Sequence, residues 1–104
     1  MFQKNKGATA FPLKAVYSEA GIEIIFPAQV MFVVPKRNFK KAHDRNKLRR
    51  RMREAYRLNK APFYAKLNDL QKKMVVALIY TGKSQEKYEI IEKAVLKLLD
   101  SIAR

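Results

Sequence analysis

Two short apolar runs, one on each side of a strongly basic segment, constrain the fold of this chain more than any other feature. Gln29–Val34 (QVMFVV) is rich in β-branched residues, and Met74–Tyr80 (MVVALIY) is apolar almost throughout. Runs of this length and composition are typical of buried β-strands. Because a helical pattern lies between them, we predict a β-α-β unit with parallel strands, in which Gln29–Val34 is a central strand covered on both faces.

The rest of the chain completes the pattern of an α+β domain. Phe11–Ser18 alternates in polarity as a strand does, and Ile22–Phe26 is a short apolar run that we also expect to be extended. Residues 61–73 are expected to form a linker with some helical character. Ser84 is a suitable N-cap for a last helix. The apolar positions of that helix recur at helical spacing: Tyr88, Ile91, Val95, Leu98 and Ile102. No repeat divides residues 1–104, which we interpret as a single domain.

Residues 44–59 form the most distinctive helix that the sequence predicts. On a wheel of about 100° per residue, one arc holds the apolar side chains, and the other side is almost entirely basic. The core-facing side chains are Leu48, Met52, Ala55 and Tyr56. Two basic rows lie at different angles: Arg45, Arg49 and Arg53 beside the core edge, and Arg50 and Arg57 facing outward. Two such rows could bind two strands of a polyanion, or two molecules.

The charge of the chain indicates a polyanionic partner. Lys and Arg number 23 against 9 Asp and Glu, which gives a formal net charge of +14. Residues 36–60 hold 12 of these cations and only two acids, Asp44 and Glu54. A surface that serves solubility alone mixes both signs, and a helix face of internal salt bridges needs more acids than this one has. We therefore expect nucleic acid as the partner, in preference to an anionic membrane.

The sequence lacks the arrangements of residues that are typical of catalytic sites. It has no cysteine, which excludes disulfides and thiolate metal sites and suits a reducing cytosol. Its single histidine, His43, is interpreted as a polar residue near a helix start. The carboxylates are not clustered for metal-assisted hydrolysis, and three glycines leave no glycine-rich phosphate loop. We find no signal peptide and no apolar run long enough to span a membrane, so we expect a cytoplasmic protein with no membrane partner.

The aromatic residues give a weaker indication of RNA binding. Each of them could stack on an unpaired base, although core packing is the more common role for any one. Lys14, on the less apolar face of the first predicted strand, could equally be an ordinary surface lysine. The sequence does not single out a stacking residue among Phe2, Phe11, Tyr17, Phe39, Tyr56, Phe63 and Tyr64.

A specific motif lies between residues 33 and 57 (VVPKRNFKKAHDRNKLRRRMREAYR). It consists of a basic pair at a strand end, an Arg-Asn-basic triplet, a second basic pair, and an Arg before a Glu-Ala-aromatic ending. These are Lys36–Arg37, Arg45–Asn46–Lys47, Arg49–Arg50 and Arg53–Glu54–Ala55–Tyr56. The motif resembles the signature of the bacterial ribonuclease P protein family. With the following strand and the last helix, the resemblance covers most of the chain from Gln29 onward.

The chain departs from the family pattern in three places. Lys47 stands where the family has Arg, which keeps the charge and loses the forked donor geometry. The pair Lys40–Lys41, with one inserted residue, replaces a Gly-Asn pair before the helix. The family also begins with a helix that carries aromatic residues, of which only the tail, around residues 2–7, is recognisable here.

The resemblance implies a fold of order α-β-β-β-α-β-α, with a four-stranded mixed sheet and a shortened first helix. It also implies a left-handed β-α-β crossover, whereas such crossovers are right-handed in about 98% of cases. It further implies a cleft between the sheet and the first helix, which would hold the 5′ leader of precursor tRNA, and a contact of the basic helix with the catalytic RNA.

The function implied by the resemblance is that of the protein subunit of ribonuclease P. It would bind the catalytic RNA and the 5′ leader of precursor tRNA, and support endonucleolytic removal of that leader. Catalysis would reside in the RNA, Mg²⁺ would be required by the RNA-containing holoenzyme, and no obligate protein partner is expected. Leader-cleft candidates are Phe2, Lys14, Arg49 and Arg53. The residues expected to bind RNA are Lys36, Arg37, Lys40, Lys41, Arg45, Asn46, Lys47, Arg49, Arg50, Arg53 and Arg57.

Three other classes of protein were weighed against this one. A different RNA-binding module, such as a ribosomal protein, would explain the charge and the core but not the motif. A protein-only nuclease would need carboxylates grouped around a metal, and the acids here are scattered. A helix-turn-helix protein would need a second short helix just before the basic one, where this chain has a predicted strand and Pro35.

Overall fold

A four-stranded mixed sheet and two helices make up the computed structural model, which describes residues 6–20 and 26–104. In chain order, the strands are β1 (Lys6–Ala10), β2 (Leu13–Glu19), β3 (Ala28–Val33) and β4 (Met74–Tyr80). Helix α1 (Ala42–Asp69) connects β3 to β4, and helix α2 (Tyr88–Ile102) follows β4. The strand order across the sheet is β1-β2-β4-β3. The predicted α+β class with a mixed four-stranded sheet is confirmed.

The β3–α1–β4 unit has the predicted parallel strands. Its register runs from Ala28 opposite Met74 to Val33 opposite Ile79. The two other neighbouring pairs, β1 with β2 and β2 with β4, are antiparallel. The strand order and the crossover are consistent with the left-handed connection that the family resemblance implies.

Both helices pack on the same face of the sheet. Helix α2 contacts β1 and β2, α1 contacts β3, and the two helices contact each other. Alternate side chains of the strands, such as Leu13, Ala15 and Leu78, point to this face and are almost wholly buried. No described helix covers the other face, which we call the open face; it carries Lys14, Met31 and their cross-strand neighbours.

Strand β3 is an edge strand, so the prediction that Gln29–Val34 is central and covered on both faces is wrong. Met31 is 58% exposed on the open face, whereas Ala28 is buried on the face toward the helices. The run is apolar on both faces, although described residues cover only one of them. Composition alone therefore could not reveal that β3 lies at the edge of the sheet. Strand β4 occupies the central position instead, and its burial alternates between full and partial along Met74–Tyr80.

The first two strands differ in extent from the sequence prediction. Strand β1 was not predicted, because its residues (KGATA) are small or polar and show no clear period. Residues 11 and 12 form the turn of a hairpin in which Ala10 pairs with Leu13, so β2 begins two residues after the predicted strand. Of the expected helical tail at 2–7, Lys6 and Gly7 belong to β1, and the rest lies outside the described residues. The predicted extended run at 22–26 also lies outside them, except Phe26.

Helix α1 is longer than predicted and includes most of the segment interpreted as a linker. It continues through Pro62 because the apolar stripe of the first half is extended by Phe63 and Leu67, both buried. Pro62 lies on an exposed part of the helix, where the carbonyl that loses its amide partner can be hydrated. The helix ends where Gln71 adopts a left-handed φ of 55°. There the amide of Lys72 donates to the carbonyl of Leu67 at 2.9 Å.

Helix α2 begins three residues later than predicted, and Ser84 is not its N-cap. The N-cap is Lys87. The hydroxyl of Tyr80 donates to the carbonyl of Ser84 at 2.6 Å and accepts from the amide of Glu86 at 2.9 Å. These two bonds hold residues 84–86 against the end of β4 as a loop. The predicted apolar face is confirmed, with Ile91, Val95, Leu98 and Ile102 buried.

Candidate nucleic-acid interface

The basic side of α1 is set by the residues that the helix buries. Leu48, Met52, Ala55 and Tyr56 are all buried, as the wheel predicts. Burial of this stripe against the sheet fixes the rotation of the helix and turns the opposite side to solvent. The side chains exposed there include Asn46, Lys47, Arg50, Arg53 and Arg57.

Six cations at the start of α1 and in the preceding loop have no protein partner within the described residues. All six are exposed, and none forms a side-chain hydrogen bond or ion pair there. They are Lys36, Arg37, Lys40, Lys41, Lys47 and Arg50. Like charges held this close repel one another, so an anionic ligand that neutralises them is favoured. Arginine donors are suited to bidentate contacts with phosphate.

Arg45 has a different role from its neighbours. Its Nη1 atom donates to the carbonyl oxygens of Phe39 and Lys40, at 2.8 and 2.9 Å. These bonds tie the loop before α1 to the first turn of the helix. The loop contains four of the six unpartnered cations, so Arg45 positions them while keeping its other N–H groups available.

The row beside the core edge is held in place by its neighbours. Arg49 donates to the side-chain oxygen of Asn46 at 2.6 Å. The guanidinium of Arg53 lies over the ring of Phe32, 5.5 Å from its centroid, at the β3 edge. The Phe32 ring meets that of Tyr56 edge-on at 5.8 Å. Arg53 thus presents its guanidinium group at the junction between α1 and the edge strand, and Arg49 lies one helical turn before it.

Arg57 is the one predicted RNA-binding arginine with an acidic partner among the described residues. Its Nε and Nη2 atoms donate to the two carboxylate oxygens of Glu54, at 3.1 and 2.7 Å. Through the hydrogen bond with Arg57, the pKa of the Glu54 carboxyl is held below its ordinary value. Glu54 therefore neutralises part of the outward-facing row at neutral pH.

Arg51 belongs to the basic helix but not to its basic side. It donates through Nη1 to the carbonyl of Glu86 at 2.7 Å and so holds the loop before α2. It lies within the motif segment between residues 33 and 57, but it is not one of the motif's defining positions. The predicted RNA-binding set does not include Arg51.

A second basic group lies on the open face of the sheet. Lys14 of β2, Arg37 after β3 and Lys83 after β4 surround one depression, and none of the described residues that line it is acidic. Lys83 was missed from the sequence, although a signal existed. The carboxyl ends of parallel strands meet at one edge of a sheet, so basic residues after β3 and β4 had to come close together. The remaining lining residues are Pro35, Asn38, Ile79, Tyr80 and Thr81.

The structure separates the four leader-cleft candidates. Lys14 points to the open face, whereas Arg49 and Arg53 belong to α1, which packs on the opposite face. Phe2 lies outside the described residues. The structure thus places Lys14 with Arg37 and Lys83, and Arg49 with Arg53.

The described part of the chain has no sign of a metal site or a membrane span. Residues 6–20 and 26–104 contain no group of three His, Cys, Asp or Glu side chains that could hold a metal ion. His43 is exposed in the first turn of α1, which begins two residues before the predicted start at residue 44. Neither helix in these ranges is long and apolar enough to cross a membrane.

Known proteins resemble this chain over nearly its full length. The sequence model of the family described as Ribonuclease P matches residues 1–103. The ribonuclease P protein component of Porphyromonas gingivalis (strain W83) is 29% identical over 103 residues, covering 99% of this chain and 75% of that protein. The component from Chlorobium phaeobacteroides is 30% identical over 112 residues, covering 98% of this chain and 77% of that protein.

The fold has a counterpart among solved structures. The Staphylococcus aureus RNase P protein, solved at 2.0 Å, matches with a TM-score of 0.72 at 15% identity. The match covers 94% of this chain and 81% of that one. The motif between residues 33 and 57, the family match over almost every residue and the curated relatives agree, and they show that the chain belongs to the ribonuclease P protein component family.

Proposed function

We propose that this chain is the non-catalytic protein subunit of ribonuclease P, which binds the catalytic RNA and the 5′ leader of precursor tRNA. Membership of the family gives it a role in ribonuclease P. The observation that carries the finer proposal is the group of six exposed cations at the start of α1 and in the loop before it, which have no protein partner among residues 6–20 and 26–104. In the cytoplasm, where we expect the protein, RNA is the abundant polyanion that such a surface would bind.

The basic side of α1 is the proposed contact with the catalytic RNA. Its cations lie on one rigid helix and on a loop fixed by Arg45, so binding requires little reordering of the protein. Phosphate contacts of this kind add affinity without distinguishing one RNA sequence from another. Each contact also makes the affinity fall more steeply as the salt concentration rises. Asn46, in the middle of this side, orients Arg49 and adds a neutral hydrogen-bonding group.

The 5′ leader is proposed to contact two places on the protein. One is the depression on the open face, where Lys14, Arg37 and Lys83 converge around apolar residues. The other is the Arg49–Arg53 row, where the guanidinium of Arg53 lies over the ring of Phe32. Both places combine positive charge with apolar surface, as sites for unpaired nucleotides do. Each can be tested with its own variant.

The chemistry of cleavage is assigned to the RNA rather than to this chain. Hydrolysis of a phosphodiester needs a group that activates water and charges that stabilise the leaving oxygen. In the described residues, carboxylates and the single histidine do not come together in a way that could hold a metal ion. We expect Mg²⁺ to be required by the RNA-containing holoenzyme and to be bound by RNA. The protein then lowers the electrostatic cost of bringing two polyanions together.

A cleavage assay on precursor tRNA tests the proposed function. The catalytic RNA from the same organism is assayed at low Mg²⁺ with and without the protein, and the protein is also assayed alone. We expect the protein to restore cleavage by the RNA at low Mg²⁺. Raising Mg²⁺ should let the RNA alone approach the same rate, because the ion screens the same phosphate repulsion. Cleavage by the purified protein without RNA would refute the proposal.

A further inference from the structure

An exposed aromatic ring stands at the tip of the β1–β2 hairpin, on the far side of the molecule from the basic row of α1. Phe11 is 69% exposed, the largest exposed fraction among the large apolar side chains of the described residues. The other aromatic residues considered as stacking candidates are buried or half-buried where the structure describes them: Tyr17, Phe39, Tyr56, Phe63 and Tyr64. The structure therefore distinguishes one candidate that the sequence could not.

The turn that carries Phe11 is rigid. The next residue, Pro12, is fully buried, and its carbonyl accepts hydrogen bonds from the amides of Thr81 and Gly82 at 2.8 and 3.2 Å. The hydroxyl of Thr81 donates to the same carbonyl at 3.1 Å. A Cβ atom at Gly82 would lie 3.1 Å from the Pro12 side chain, so the two loops are closely packed. The ring is thus exposed on a fixed support and not on a loose loop.

Two lysines of α2 flank this ring. A depression beside Phe11 is lined by Lys93 and Lys97, one helical turn apart, and by the apolar side chains of Ala10, Ile90, Ala94 and Leu96. Both lysines are exposed, and neither has an ion-pair partner within the described residues. The depression has no acidic residue in the part of its lining that the structure describes. An aromatic ring beside two unpaired cations suits an unpaired nucleotide, with its base on the ring and its phosphates on the lysines.

We propose that Phe11, Lys93 and Lys97 form a second RNA contact, at which an unpaired nucleotide of the catalytic RNA stacks on Phe11. The patch lies on the same helical layer as the basic side of α1, but at the opposite edge, since α2 packs over β1 and β2 and α1 over β3. The molecule measures 39 × 28 × 21 Å, so one folded RNA can reach both edges. The depression at Lys14, proposed for the leader, is on the other face of the sheet. The inference rests on the proposed function in taking the catalytic RNA as the ligand.

The test uses a tryptophan introduced at the ring, because the chain contains none. We expect the fluorescence of Phe11→Trp to be quenched when the catalytic RNA is added, and its dissociation constant to remain close to that of the wild type. Phe11→Leu keeps an apolar side chain but cannot stack, so it should bind the RNA on the order of tenfold more weakly. Lys93→Gln with Lys97→Gln should reduce the salt dependence of binding by about two phosphate contacts. None of these changes should alter thermal unfolding, since all three side chains are exposed.

Phe26 provides the matched control. It is also an exposed phenylalanine, at 64%, but it precedes β3 at the opposite end of the sheet from the hairpin tip. Phe26→Trp should not be quenched by the RNA, and Phe26→Leu should bind it normally. Equal quenching at both positions would show non-specific contact and overturn the inference.

Two further outcomes would also overturn it. One is wild-type affinity of Phe11→Leu together with unquenched fluorescence of Phe11→Trp at saturating RNA. The other is a dimer of the protein alone, seen by sedimentation, that Phe11→Leu abolishes, because the patch would then bind a second copy of the chain. Arg50→Ala, measured in the same assay, distinguishes failure of this inference from failure of the proposed function. If Arg50→Ala also leaves RNA binding unchanged, the proposed interface on α1 is wrong as well.

Discussion

Arginines of the same helix differ in what they can offer to RNA, because their protein partners differ. Arg50 is exposed and has no partner among the described residues. Arg45 is bonded to two loop carbonyls, and Arg51 is bonded to the loop before α2. The sequence indicates the charge of these positions, but their partners are set by contacts with loops. Only the structure therefore shows which arginines are held by the protein and which are exposed without a partner among the described residues.

Arg45→Ala and Arg50→Ala should accordingly have different effects. Arg50→Ala should flatten the dependence of RNA affinity on salt by about one phosphate contact and leave the stability unchanged. Arg45→Ala should also reduce affinity, and in addition lower the free energy of unfolding by about 1 kcal/mol, because two charge-assisted hydrogen bonds are lost. Urea unfolding and a salt titration of RNA binding measure the two effects. Equal stabilities of the two variants would contradict the role assigned to Arg45.

Glu54 should weaken RNA binding, since it neutralises Arg57. Glu54→Gln removes a negative charge from the basic side and leaves one acceptor oxygen for Arg57 in place of two, so we expect affinity for the catalytic RNA to rise about two- to fivefold at low salt. Glu19→Gln, an exposed site on β2, makes the same change of charge as a control. If both variants tighten binding equally, the effect is one of net charge and not of the Glu54–Arg57 pair.

The pH dependence of this effect follows from the pKa of Glu54, which Arg57 lowers. A carboxyl with a lowered pKa contributes its pairing above its ordinary pKa and loses it as the pH falls through the lowered value. The wild type and Glu54→Gln should therefore differ in RNA affinity throughout the neutral range and converge only at acid pH. A difference that disappears near pH 6 would show that Glu54 is not the group responsible.

Helix α1 keeps its apolar pattern through Pro62, although proline usually ends a helix. The stripe that begins at Leu48 continues to Leu67, and burial of that stripe outweighs the hydrogen bond lost at Pro62. The prediction of a linker after residue 60 gives the low helix propensity of proline more weight than the packing of the apolar stripe. Strand β1 is the opposite case, since it exists only through pairing with β2 and has no pattern of its own.

Pro62→Ala should therefore stabilise the protein. The alanine restores an amide that can donate to the carbonyl of Leu58, within a helix that the rest of the stripe already holds. We expect a gain of about 1 to 2 kcal/mol in the free energy of unfolding, measured in urea. Pro62 lines the groove between α1 and α2, away from the basic side, so RNA affinity should not change. A lower unfolding midpoint would mean that the rigid ring of Pro62 matters more than the missing bond.

For the whole molecule, the sequence predicts the parts better than their arrangement. The buried stripe of α1, the parallel β3–β4 pair and the apolar face of α2 follow from periodicity, which reports what each element buries. The edge position of β3 and the meeting of Lys14 with Lys83 depend on which strands are neighbours. That order reflects contacts between distant parts of the chain, and local patterns do not contain it. The candidate RNA surface on α1 was therefore predictable, and the depression on the open face was predictable only in part.

The separation of the leader candidates onto two faces leads to a test with whole substrates. Lys14→Ala and the pair Arg49→Ala with Arg53→Ala are each assembled with the catalytic RNA, and dissociation constants are measured for precursor and mature tRNA. Only the precursor has a leader, so a residue that contacts the leader should weaken precursor binding alone, by about three- to tenfold for each phosphate or stacking contact. We expect both variants to show this selective loss.

Lys72→Ala serves as the control and should affect binding of neither substrate. Lys72 lies near the carboxyl end of β2, whereas the depression lies at the other end of that strand. Equal losses for both substrates in the Arg49 and Arg53 variant would assign that row to the catalytic RNA and leave the leader to the open face.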